Sequence, residues 1–207
     1  MVDEVQKTIR RTRQYWYADG FAEITIGLLF FVLGLIFLGQ AHVPARSVYG
    51  VALQLALPVV FLLGFWLSRH VIRSLKERIT YPRTGYVSYP KPSVRRRRLA
   101  LAAAALIAVP IAGFLARYHP LPVNWTPLVE GLMTAVILIL AGQGLKRFWV
   151  IGGFSLVLGL GLSFVHLENP DVRGSAYFYG ISGLVIMICG LLTLLKYLRC
   201  SSAEEHQ

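Results

Sequence analysis

The stretch YWYADGFAEITIGLLFFVLGLIF, Tyr15 to Phe37, decides the fold. From Phe21 onward it is an apolar run of the ~18 residues or more that cross a bilayer as a helix. Two carboxylates, Asp19 and Glu23, stand at its entrance. In lipid a helix satisfies its own backbone polar groups, which is why such a run is tolerated there.

Five further runs follow. The spans are assigned to Phe21–Gly39, Val48–Leu67, Leu99–Ala116, Pro127–Leu145, Phe148–Val165 and Ala176–Leu195. The second, third, fifth and sixth carry no charged residue. Of the 207 residues 56% are hydrophobic and only 15% charged, a balance too apolar for an ordinary soluble domain. The expected fold is therefore an all-α integral membrane protein with six transmembrane helices. In order, residues 1–20 form an interfacial amphipathic helix and 21–67 the first two spans. Residues 68–98 form a basic cytoplasmic loop, 99–199 the other four spans, and 200–207 a cytoplasmic tail.

The net charge of +11 first suggests nucleic acid, but its distribution points to a membrane surface. The N-terminal segment, the second and fourth loops and the C-terminus hold 18 of the 21 Lys and Arg residues. The first, third and fifth loops hold one each, Arg46, Arg117 and Arg173. Cytoplasmic loops carry the basic excess, so both termini are expected inside. The RRRR run, Arg95 to Arg98, precedes a span and reads as a topology anchor. No nucleic acid partner is expected. Val2, Val5, Ile9 and Trp16 fall near one face of a short N-terminal helix whose basic groups suit the inner surface. No apolar leader with a small-residue cleavage site opens the chain, so no signal peptide is expected. Cys189 and Cys200 fall at different depths, which argues against a disulfide.

Glycines recur every seventh residue at Gly20, Gly27 and Gly34, at Gly152 and Gly159, and at Gly183 and Gly190. Two helical turns separate the members of each set, and small residues let membrane helices approach closely. The first, fifth and sixth spans are expected to pack together, and such faces also leave room for a homo-oligomer. Pro58 and Pro110 sit inside the second and third spans, where they kink a helix or free a carbonyl.

Candidate sites each have two readings. Asp19 and Glu23, four residues apart, share a helix face and could hold a proton or cation. Equally, carboxylates suit the positive start of a helix, with an inner-face basic group as partner. Glu130 lies in the first turn of the fourth span, where Thr126 would cap and Pro127 would take the first helical position. The functional reading joins Glu130 to Gln54, Thr134 and Gln143 as a polar track. Gln54 is the telling residue, since an amide within an apolar helix needs a partner. His42, His119 and His166 show no ligand spacing, so neither a metal nor a cofactor is expected.

The second loop, LKERITYPRTGYVSYPKPSVRRRR, is the most distinctive segment. Pro82 and Gly85 mark a turn, and tyrosines alternate with basic groups. Tyr81, Arg83, Tyr86 and Arg95, Arg96, Arg97 and Arg98 are the candidates for binding anionic lipid headgroups or a cytosolic partner. DGFAEI at the first span, together with LKERITYPRTGYV after the second, resembles a group of uncharacterised bacterial polytopic membrane proteins. The resemblance runs to about residue 90 and implies a bacterial inner membrane, with no activity attached.

Three function classes follow. The first expectation is a small solute or ion transporter or channel that would use Asp19, Glu23, Gln54, Glu130 and Gln143, with the module below as its alternative. A non-enzymatic module would bind anionic lipid or a partner through the basic loop. A membrane enzyme ranks last, because no nucleophile, zinc or phosphate-loop motif is present.

Overall fold

In the computed structural model, residues 19–75, 77, 124–141 and 145–204 are described. They form five helices and no strands: α1 Phe21–His42, α2 Val48–Leu75, α3 Trp125–Ala141, α4 Lys146–Ser163 and α5 Pro170–Glu204. Three of these, α1, α2 and the Pro170–Arg199 part of α5, are long and apolar enough to cross a bilayer. α3 is apolar but shorter. The expected span Leu99–Ala116, the N-terminal amphipathic helix up to residue 18, and the loop residues Tyr81 to Arg98 lie outside the described residues.

α1 begins at Gly20, whose φ of 75° is the left-handed region open to glycine. Its carbonyl accepts the first bond of the helix, from the Ile24 amide at 3.1 Å. The absence of a side chain there also lets Gly20 touch the Gly190 carbonyl of α5. α1 and α5 run antiparallel in backbone contact. A Cβ on Gly27 would lie 2.7 Å from the Gly183 carbonyl oxygen, and one on Gly34 would lie 2.5 Å from the Gly180 nitrogen. Beside this seam Tyr179 packs edge-on to Phe30 at 5.3 Å and stacks on Phe37 at 5.7 Å.

The fifth-span glycines behave differently from expectation. Gly159 meets the Pro127 carbonyl and Gly131 of α3, and Gly152 faces the Ala135 carbonyl. α4 therefore uses its small face against α3. The physical reason is Gly131, which completes a two-sided close approach that α1 has no free glycine to offer. Leu138, Phe148, Ile151 and Ile186 then close a buried core among α3, α4 and α5.

α1 turns into α2 through Val43–Ser47, where the Ser47 hydroxyl accepts from the Gly50 amide at 3.0 Å as a helix cap. α2 packs on α1, with Gly64 against Leu29 and Leu53 near Gly39. Only Gly50 and Ile72 of α2 are buried.

These contacts give the bundle two ends. One holds the start of α1, the start of α4 and the finishes of α2 and α5. The other holds the α1–α2 turn, the starts of α3 and α5, and the finish of α4. Of the described Lys and Arg residues, Arg69, Arg73, Lys146, Arg147, Lys196 and Arg199 lie at the first end. Arg46 and Arg173 lie at the second.

Candidate functional site

Two polar clusters occupy the two ends. At the first, the α1 entrance brings Asp19 and Glu23 inside: their side chains are 0% and 2% exposed. Glu23 Oε1 meets Arg147 Nη2 at 2.7 Å. Arg147 sits in the first turn of α4, where the helix dipole disfavours a cation, so the Glu23 carboxylate offsets that end as well as neutralising the charge. The Glu23 Cβ lies against Gly190, which leaves space for the carboxylate beside α5. Asp19 Oδ1 accepts from the Phe21 amide at 3.4 Å, turning the chain into α1. A buried ion pair joined to a helix start ties α1, α4 and α5 together.

At the second end, α3 and α5 run parallel and are joined by two rungs one turn apart. Thr126 Oγ1 donates to Asp171 Oδ1 at 2.7 Å, and Ser175 Oγ donates to Glu130 Oε1 at 2.7 Å. Asn124 Nδ2 donates to the Pro170 carbonyl at 2.6 Å. The cap of α3 is Asn124, whose Oδ1 accepts from the Thr126 amide at 3.2 Å. That corrects the expectation of Thr126 as cap. The helix starts at Trp125, and this frees the Thr126 hydroxyl for Asp171. Arg173 and the exposed Glu168 form a rim pair at 3.2 Å, of the kind that contributes little.

The sequence candidates are thus separated in space. Asp19 and Glu23 share one end and Glu130 lies at the other. Thr134 is buried one turn below Glu130 on α3. Gln54 is exposed on α2, which packs on α1 and not beside Glu130. Gln143 lies outside the described residues, as do Tyr81, Arg83, Tyr86 and Arg95 to Arg98. The partners that sequence reasoning missed are Arg147, Asp171 and Ser175. One signal was available: Asp171 and Ser175 repeat the four-residue spacing of Thr126 and Glu130. That spacing aligns both pairs on facing helices.

Comparison with protein-family models, with curated proteins and with solved structures returns no match. The functional reading therefore rests on the residues and their geometry.

Proposed function

We propose that the chain is a six-span protein of the bacterial inner membrane, with both termini on the Glu23 side, that acts as a non-enzymatic module binding anionic lipid headgroups at that face. The observation that carries this reading is the division of charge. Six described basic residues lie at the Glu23 end and two at the other, while the entrance carboxylates are engaged inside the protein. The Lys146, Lys196 and Arg199 side chains then face the headgroup zone as unspent positive charge, worth about 1 kcal/mol each near an anionic surface. The loop residues Tyr81, Arg83, Tyr86 and Arg95 to Arg98 would extend this face.

Parity supports six crossings. α2 finishes at the Glu23 end and α3 starts at the opposite end, so this proposal places one more crossing between them. Leu99–Ala116 is the apolar run of span length in that stretch. Transport stands as the second reading, favoured by one observation: the Glu130 carboxylate is drawn between α3 and α5 by Ser175.

The test is retention of phosphatidylglycerol and cardiolipin by the purified protein, read by native mass spectrometry. The variant Lys146→Gln/Lys196→Gln/Arg199→Gln is expected to retain less anionic lipid, with zwitterionic lipid unchanged. Equal retention, together with proton or cation flux in liposomes that Glu130→Gln abolishes, would overturn the module in favour of transport.

A further inference from the structure

Gln54 places an exposed amide within the apolar helix α2. Between Ser47 and Ser68 it is the sole amide side chain of α2, where the other polar groups are the Tyr49 hydroxyl and the Trp66 indole N–H. It is exposed, and no hydrogen bond reaches its side chain from any described residue. A primary amide carries two N–H donors and a carbonyl acceptor. In hydrocarbon those groups have no water to bind, and leaving them unpaired is costly.

A second group at the same residue loses its regular helical donor. Pro58 stands four positions along the helix, and proline has no N–H. The backbone carbonyl of Gln54 therefore loses the donor that an uninterrupted helix supplies. Side chain and main chain together present donors and acceptors on one flank of α2.

The surroundings of that flank have the form of a helix-packing seam. Val51, Gln54, Pro58, Phe61 and Phe65 follow one another at alternating spacings of three and four residues, the pattern of a coiled-coil face. All five are exposed, with Val51 at 46%, Phe61 at 52% and Phe65 at 50%. The residues turned to α1 form a separate stripe through Leu53, Leu57, Val60 and Gly64, which are half-buried.

We propose that this seam receives the same seam of a second copy of the chain, making a parallel two-fold dimer in which the two Gln54 residues bond one another. Depth selects this occupant. Copies inserted in one orientation carry α2 at the same level, so Gln54 meets Gln54 with an equal and self-complementary donor and acceptor set. A two-fold contact requires that kind of self-match. Lipid tails satisfy the phenylalanines but offer nothing to the amide or to the freed carbonyl. Interhelical bonds from Gln are an established form of membrane helix association. The inference rests on α2 lying in the bilayer, and resistance of the reconstituted protein to alkaline extraction checks that point separately.

The experiment is oxidative cross-linking in liposomes, in a full-length background with Cys189→Ala and Cys200→Ser. Phe61→Cys, on the seam, is expected to give a covalent dimer at low protein-to-lipid ratio. Val59→Cys, exposed on the other side of α2, is expected to give only the level set by random collision. Adding Gln54→Leu should weaken dimerisation by about 3- to 30-fold, the range of measured interhelical side-chain bonds. Gln54→Asn should restore part of it. Equal cross-linking of Phe61→Cys and Val59→Cys would overturn the seam. A dimer indifferent to Gln54→Leu would overturn the role of the amide. A wild-type protein that stays monomeric by single-molecule photobleaching, while resisting alkaline extraction, would overturn the dimer and leave the membrane reading intact.

Discussion

Gly183→Ala and Gly180→Ala add the same methyl group to the same helix, three residues apart. The structure assigns them different outcomes. A Cβ at Gly183 would lie 2.5 Å from the Phe31 nitrogen, 2.7 Å from the Gly27 oxygen and 2.9 Å from the Phe31 Cα. All three are backbone atoms, so no rotamer change relieves the clash. A Cβ at Gly180 meets nothing within 4 Å. Restoring ordinary contact at Gly183 requires α1 and α5 to part by roughly 1 Å, which loosens dispersion contacts along the seam. Overpacking of this type costs about 1–3 kcal/mol, and an all-backbone clash belongs at the upper end. The helix-propensity gain of Gly to Ala applies equally to both variants and cancels in their comparison. Gly183→Ala should therefore be less stable than Gly180→Ala by about 2–3 kcal/mol. Reversible unfolding in mixed micelles titrated with dodecyl sulfate measures the difference. Stabilities within about 0.5 kcal/mol of each other, the range of inconsequential substitutions, would refute backbone contact between α1 and α5.

Two further outcomes follow from the polar clusters. Arg147→Met removes the Arg147 cation from the buried Glu23 carboxylate and should cost about 3 kcal/mol, the lower end for such pairs because Arg147 is itself 26% exposed. Adding Glu23→Gln should return most of that loss in the same unfolding assay, and a double variant no more stable than Arg147→Met would sink the ion-pair account. Ser175→Ala should cost about 1–2 kcal/mol by removing the hydroxyl that donates to Glu130. Glu130→Gln, whose amide oxygen can still accept, should cost less, and the reverse order would show that the carboxylate does more than join α3 to α5.

The membrane character of the chain was legible because hydropathy is a property of composition and run length. Phe21 needed no neighbour to mark the start of α1, and the observed helix begins there. The close approach of the first and last described helices was legible from Gly20, Gly27, Gly34, Gly183 and Gly190, since seven-residue spacing keeps a glycine face aligned along one helix. The partner of that face was not encoded locally. Gly152 and Gly159 carry the same spacing yet meet α3, because the choice depends on which other helix presents small residues at the matching depth.

The candidate site divides in the same way. That Glu23 would sit at a helix start with a basic inner-face partner follows from its position. That the partner is Arg147, more than a hundred residues away, follows from the placement of α4 beside α1. Asp171 and Ser175 drew less notice because each is unremarkable within its own helix. Only a parallel α3–α5 pair turns them into rungs with Thr126 and Glu130.

The sequence by itself thus determined that this chain forms apolar helices, three of them among the described residues long enough to cross a bilayer. Those properties depend on residues a few positions apart and on the solvent around them. Tertiary structure alone decided which carboxylate is neutralised, which hydroxyl is spent, and which polar residue, Gln54, is left facing outward. Those outcomes depend on helix-to-helix register and rotation, quantities set by the fit of whole side-chain surfaces and carried by no local pattern.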